Sequence, residues 1–243
     1  FILFFFTGSV LMRSAGCIVN DIVDKNLDKK VMRTKNRPLA SDKITIFNAI
    51  IYVIFLCSLA FLVLINFNTL TIILAIISMP FAFTYPLMKR FTYWPQLFLG
   101  ITFNYGLVLG WVSINENISL LPIILYLGAI FWTLGYDTIY GYQDIKDDEI
   151  IGIKSTSIKF KKFPKKFLFI CYFILILSLS ITGIIMQFNY INLFFLALIA
   201  MHLFYFQVFK LNVNSPENCI KIFKSNNFLG FLIFLFLILG RSI

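Results

Sequence analysis

Charge is what this 243-residue chain has least of. Only 13 % of its residues are Asp, Glu, Lys or Arg, against 60 % hydrophobic. Soluble domains carry about a quarter charged residues, so no stretch of ordinary domain size fits a soluble fold. Histidine is nearly absent, His202 being the single one. That excludes a metal centre built on paired imidazoles, and His202, in an apolar run without an acidic partner at helical spacing, reads as structural. The four cysteines (Cys17, Cys57, Cys171 and Cys219) show no CxxC or CxxH spacing. A zinc ribbon or a dithiol motif is excluded, and small core residues remain. An initial Met and a basic leader are also missing. The chain opens at Phe1 inside a hydrophobic run, which reads as a fragment that has lost its N-terminus rather than as a signal peptide.

What the chain has in abundance is long apolar runs, at about residues 1–19, 44–65, 70–88, 94–112, 120–142, 167–186, 191–209 and 228–239. A spanning helix needs about 20 apolar residues, whereas a barrel strand needs about ten with alternating polarity. Run length therefore selects helices. The expectation is an all-α, polytopic transmembrane helix bundle of eight spans forming a single domain over 1–243. The net charge of +10 does not point to nucleic acid, because 19 of the 21 Lys and Arg fall in alternate loops, leaving only Arg13 and Arg241. By the positive-inside rule those loops are cytoplasmic. Ten of the eleven acids share that side, Glu116 excepted. Acids carry little topological information, so their clustering needs another cause.

Two constellations hold most of them. In "NDIVDKNLD", Asn20 and Asp21 are followed by Asp24 and Asp28 at i, i+3 and i+7 from Asp21. If the first helix continues past Val19, the three aspartates stack on one face, at a helix C-terminus whose dipole disfavours anions. Such an arrangement demands a cation, and Mg²⁺, which takes hard oxygen ligands, is the natural one. In "YDTIYGYQDIKDDEIIGIKST", Asp137, Asp144 and Asp148 repeat the pattern at i, i+7 and i+11, with Asp147 beside them. Asp137 lies inside its apolar run, and an ionisable residue at such depth is a functional hypothesis by default. The topology puts both sets at one membrane face, where they are expected to meet and hold metal and a diphosphate. Arg33, Lys35, Arg37, Lys89, Arg90 and Lys154 supply nearby positive charge, Arg being suited to bidentate phosphate contacts. Arg13, roughly 10 Å deeper than Asn20 at 1.5 Å per residue, is expected to face the interior. A structural ion pair and a ligand-binding role both fit it.

These residues resemble a known family. "RSAGCIVNDIVDKNLDKKVMRTKNRPLASDKIT" looks like the first signature of the UbiA superfamily of intramembrane prenyltransferases, N-D-x-x-D-x-x-x-D, and "YDTIYGYQDIKDDEIIGIKSTSIKF" resembles the second, D-x-x-x-D. "MRSAGC", "NRPL", "YPLMKR" and "GIKST" look most like the branch acting on 4-hydroxybenzoate. One departure is Lys146, where relatives often carry an acid. The resemblance implies nine helices around a cavity open to lipid, of which this chain would lack the first and the start of the second. It also implies Mg²⁺-dependent transfer of a polyprenyl group from its diphosphate to 4-hydroxybenzoate, in ubiquinone biosynthesis. Asn20, Asp21, Asp24, Asp28, Asp144 and Asp148 are then the metal-binding and catalytic set. Arg13, Arg37, Lys89, Arg90, Asp137, Tyr140 and Lys154 join Asn20 as substrate-binding candidates. Expected partners are the two substrates and the bilayer, without nucleic acid or an obligate protein partner. The expected location is a bacterial or mitochondrial inner membrane, with the site on the cytoplasmic or matrix face. Two alternatives stay open: another branch of the superfamily (haem O synthase or a menaquinone-pathway enzyme), and a cation transporter. A transporter normally keeps its carboxylates near the midplane on discontinuous helices.

Overall fold

The computed structural model describes residues 1–30, 32 and 34–240, with Asp147 described in its backbone only. Arg33 and Arg241 lie outside the described residues. Among the described residues, eight helices are long and apolar enough to cross a membrane: α1 (Ile2–Asp28), α2 (Ile46–Leu64), α3 (Thr69–Phe91), α4 (Pro95–Asn115), α5 (Leu120–Asp144), α6 (Pro164–Ile185), α7 (Ile191–Phe209) and α8 (Pro216–Leu239). The all-α, eight-span expectation holds.

Two boundaries differ from the hydropathy reading. Helix α1 continues nine residues past Val19, so Asp21, Asp24 and Asp28 do share a helical face. Helix α8 begins at Pro216, twelve residues before its apolar run. Ser215 caps it by accepting from Asn218 N–H at 3.3 Å, Pro216 occupies the first turn, and Glu217 complements the dipole there. Its polar start, "PENCIKIFKSNN", is held by burial of Cys219, Ile222 and Asn226.

The chain forms two compact units. The first comprises Phe1–Met88 and Leu109–Ile118. In it α1 packs along α2 and touches α3. Thr45 caps α2 through Asn48 N–H (3.2 Å), and Asn68 caps α3 through Thr71 N–H (2.9 Å). Asn68 also donates to Val112 O at 2.9 Å, tying the end of α4 to this unit.

The second unit comprises Lys89–Val108 and the chain from Ser119 onward. Here α5 is the central helix, packed against α4, α6 and α8. Lipid offers no hydrophobic drive for helix association, so spanning helices meet through small residues and interhelical hydrogen bonds. Both devices are present. Gly128 faces Ser178, whose hydroxyl donates to Ile124 O at 2.6 Å, and Gly135 faces the Tyr172 ring so closely that a Cβ has no room. Tyr172 cannot retreat, because it is fully buried and its hydroxyl donates to Gln207 at 2.5 Å. Gln207 lies in a π-helical segment of α7, His202–Phe209. It donates to Asn226 Oδ1 at 2.9 Å, which also accepts from Trp132 Nε1 at 2.8 Å.

The Gly135→Ala variant should therefore lower the detergent melting temperature by an amount equivalent to about 1–3 kcal/mol of overpacking. In a double-variant cycle with Tyr172→Leu the combined loss should fall short of the sum. Strict additivity would show that the two residues do not share this contact.

Candidate active site

The first acidic set belongs entirely to the first unit. Because α1 stays helical through Asp28, Asp24 and Asp28 are carried into the packed interior and are buried, while Asp21 is half-buried. Buried carboxylates are costly without a cation or hydrogen bonds. The connection after α1 folds back to supply one. Arg37 Nη1 donates to Asp21 Oδ1 at 2.8 Å and to Asp28 Oδ2 at 3.1 Å. Two carboxylates thus converge on a single cationic nitrogen. Arg37 is itself anchored through its backbone: its N–H donates to Thr34 O at 2.9 Å, and its carbonyl accepts from both Ser41 N–H and Ser41 Oγ at 2.8 Å.

A second exchange of opposite sign fastens the same connection. Asp42 accepts from Lys25 at 2.7 Å and Lys29 at 2.6 Å. It does so with a left-handed backbone, φ 59°, a conformation that Asp tolerates better than most residues. The lysine partners hold its carboxyl at about 2, below the ordinary 3.8. Neither pairing is visible as a local sequence pattern, since the partners are 9 to 17 residues apart.

The second acidic set belongs to the second unit. Asp137 and Tyr140 lie on α5 and Asp144 at its end, all three half-buried. The expected single regular helix through Asp148 is not what forms. The chain tightens to a 3₁₀ turn at Tyr142–Asp144 and resumes as a short helix, Ile145–Ile151, which carries Asp148. The i, i+7, i+11 stack is therefore interrupted before Asp148. The interruption sits beside a docked segment: Ser157 Oγ donates to Thr138 O at 2.8 Å, Thr138 and Thr156 hydroxyls meet at 2.6 Å, and Thr156 N–H donates to Gln96 at 3.0 Å. Gly141 faces Ser157 with no space for a Cβ. Thr156 of "GIKST" and Ser157 just after it thus dock the segment, a role hidden from a residue-by-residue reading.

The cations of the second unit do gather. Lys154 N–H donates to Lys89 O at 2.9 Å, and Lys154 Nζ reaches Phe91 O at 3.3 Å and the Tyr93 ring at 5.8 Å. Lys89 is half-buried and Arg90 exposed. Tyr140 stacks obliquely on Phe223 at 4.6 Å, and Tyr136 leans on Trp132 and Phe223 at 5.7 and 5.8 Å. Asn20 is half-buried on α1. Arg13 is exposed on α1. His202 sits among Phe206 and Phe228 and shares a long contact with Gln207, in keeping with a structural role.

Among the described residues, no three His, Cys, Asp or Glu side chains form a ready-made metal cage. The donor set nevertheless suits magnesium, which uses one or two carboxylates and completes its shell with water and phosphate oxygens. The Arg37 nitrogen marks a point where two hard oxygens already meet a positive charge.

An all-helical, multi-pass membrane protein with carboxylates gathered at helix ends is the class these observations define. The model of the UbiA prenyltransferase family matches residues 1–237. The chain belongs to the UbiA prenyltransferase family. It is 43 % identical over 240 residues to the mitochondrial 4-hydroxybenzoate polyprenyltransferase of Bos taurus, covering 98 % of this chain and 64 % of that protein. The chain thus spans less than two thirds of the length of that relative. Among solved structures, a UbiA homolog from Aeropyrum pernix K1 superposes with a TM-score of 0.80 at 23 % identity, covering 96 % of this chain and 88 % of the other. A UbiA homolog from Archaeoglobus fulgidus, solved with GPP and Mg²⁺ bound, superposes with a TM-score of 0.59 at 18 % identity over 99 % of this chain and 87 % of that one.

Because the folded Asp42 carboxyl titrates below its ordinary value, its pairing is complete above about pH 4 and is lost as pH falls through about 2. Protection from hydrogen exchange over residues 34–45, taken relative to the intrinsic rate at each pH, should fall across that window, and Asp42→Asn should show the lower protection already at neutral pH. Equal exchange in the two proteins at pH 7 would remove Asp42 as the fastening.

Proposed function

We propose that this protein transfers a polyprenyl group from its diphosphate to the ring of 4-hydroxybenzoate, ortho to the hydroxyl, as ubiquinone biosynthesis requires. One observation carries the reading. Asp21 and Asp28 converge on a cationic nitrogen at the end of a membrane-spanning helix, the depth at which a lipid-tailed substrate presents its charged head. The name of the bovine relative supports the acceptor, and the magnesium in the archaeal homolog supports the metal.

Asn20, Asp21, Asp24 and Asp28 in the first set, and Asp144 and Asp148 in the second, hold Mg²⁺. When bound, the metal supplies Lewis-acid neutralisation of the departing diphosphate. The chain's own residues do the rest. Arg37, Lys89, Arg90 and Lys154 bind phosphate oxygens as charge develops on them. The allylic carbon turns cationic as its C–O bond breaks, and the faces of Tyr136 and Tyr140, fixed by their packing on Trp132 and Phe223, attract it by cation–π interaction. Asp137 orients the diphosphate end of the donor, and Arg13 grips the acceptor carboxylate. The ring attacks the allylic carbon and loses its ortho proton, which restores aromaticity. The protein works at the cytoplasmic or matrix face of a bacterial or mitochondrial inner membrane.

Membranes containing the full-length protein, supplied with 4-hydroxybenzoate and a polyprenyl diphosphate, should form the prenylated acid with Mg²⁺ and not with a chelator. Asp24→Asn and Asp144→Asn should each lower turnover by about 10²-fold or more, the scale of losing one transition-state electrostatic partner. Wild-type turnover in both variants would overturn the site assignment. Farnesylation of haem b with 4-hydroxybenzoate inert would move the protein to another branch of its family.

A further inference from the structure

We propose that Arg37 is a resident counter-cation that competes with divalent metal for Asp21 and Asp28, so that metal loading frees the guanidinium for the diphosphate. This deepens the function proposed above and rests on it. The geometry of one nitrogen carries the inference. Arg37 Nη1 lies 2.8 Å from Asp21 Oδ1 and 3.1 Å from Asp28 Oδ2, occupying the point between the two carboxylates. Magnesium coordinates oxygen at about 2.0–2.1 Å, so an ion taking both oxygens claims the same space. A guanidinium left there would face it at contact distance with like charge. Metal and Nη1 thus compete for the space between those oxygens.

The surroundings show which part moves. The Arg37 backbone is pinned at both its N–H and its carbonyl, by Thr34 and Ser41, and Asp42 fastens the same connection to Lys25 and Lys29. The segment is therefore held to α1 by contacts that do not involve the guanidinium. What remains to swing is the side chain, on a fixed pivot beside the acids, and it stays within reach of any anion bound to the metal. In the metal-free protein the arrangement also answers the charge problem at this helix end: Asp28 is buried at a C-terminus where the dipole disfavours anions, and Arg37 offsets it.

Competition and preorganisation predict opposite signs. If Arg37 merely held the carboxylates in place for metal, its removal would weaken metal binding. As a competitor, its removal strengthens it. The test is Mn²⁺ binding to the purified full chain without diphosphate, read by electron paramagnetic resonance of free Mn²⁺. Arg37→Gln should bind Mn²⁺ about tenfold tighter than wild type, the weight of one charge-assisted pair. Arg37→Lys, which keeps the charge and guards against a folding failure of the glutamine variant, should stay near wild-type affinity. In chelator the melting temperature of Arg37→Gln should fall below that of wild type, and Mn²⁺ should raise it by more than it raises wild type. Equal or weaker Mn²⁺ binding in Arg37→Gln, or tighter binding in Arg37→Lys, overturns the competition. If wild type binds Mn²⁺ and Asp21→Asn abolishes it while Arg37→Gln changes nothing, only this inference fails. If neither wild type nor Arg37→Gln binds Mn²⁺, the metal-dependent function falls with it.

Discussion

A row of carboxylates at the C-terminal end of an apolar helix is an electrostatic problem, and the architecture of the first unit follows from its solution. The helix dipole, burial and mutual repulsion all act against Asp24 and Asp28. Extending α1 past its apolar limit is made tolerable as the following connection returns Arg37 to Asp21 and Asp28. The return in turn requires a fastening, which Lys25, Lys29 and Asp42 provide with the signs reversed. These outer pairs are exposed and individually weak. Their effect is geometric, keeping a short segment close to the acids.

The second unit solves a different problem, the close approach of spanning helices. Gly128 and Gly135 let α6 lie directly against α5; the Ser178 hydroxyl turns that proximity into a hydrogen bond to α5, and the Tyr172 hydroxyl reaches on to Gln207 of α7. Near the end of α5 the small-residue device reappears at Gly141, where the docked segment carrying Ser155, Thr156 and Ser157 comes in. That docking brings the Lys154 backbone onto Lys89. The Lys154 backbone thus owes its placement to neutral neighbours.

How much of this was legible in the sequence divides along a physical line. Features set by local spacing could be read: the eight apolar runs, and the single face of Asp21, Asp24 and Asp28 on a continued α1. Features set by capping or by long-range pairing could not. Hydropathy started α8 at 228 because it is blind to the Ser215 cap and to polar residues such as Asn226 that find buried partners. Helical spacing put Asp148 on the face of Asp144, but the 3₁₀ turn at Tyr142–Asp144 answers to a segment that docks from further along the chain. Charge and position alone offer Arg37 and Lys154 to phosphate. Both already hold protein oxygens, carboxylates for Arg37 and the Phe91 carbonyl for Lys154. Charge counts show that a balance exists without showing which residues strike it.

The two polar systems of the chain can also be told apart by what each leaves over. The network of Trp132, Tyr172, Gln207 and Asn226 is closed: each donor named meets an acceptor within it, and Asn226 spends its amide hydrogens on carbonyls of its own helix and on Gln207. Such a network asks for nothing further and serves to specify packing between α5, α6, α7 and α8. The acidic end of α1 is held by charge instead. Three carboxylates stand on one face, at a helix end whose dipole favours positive charge, and the Arg37 guanidinium bridges two of them. A closed network can be exchanged for well-packed apolar residues without chemical consequence, whereas carboxylates held by an ion pair present hard oxygens to cations. That difference, more than the presence of polar residues in a membrane, is why the proposed chemistry falls to the acids of α1 and packing to the network of Gln207 and Asn226.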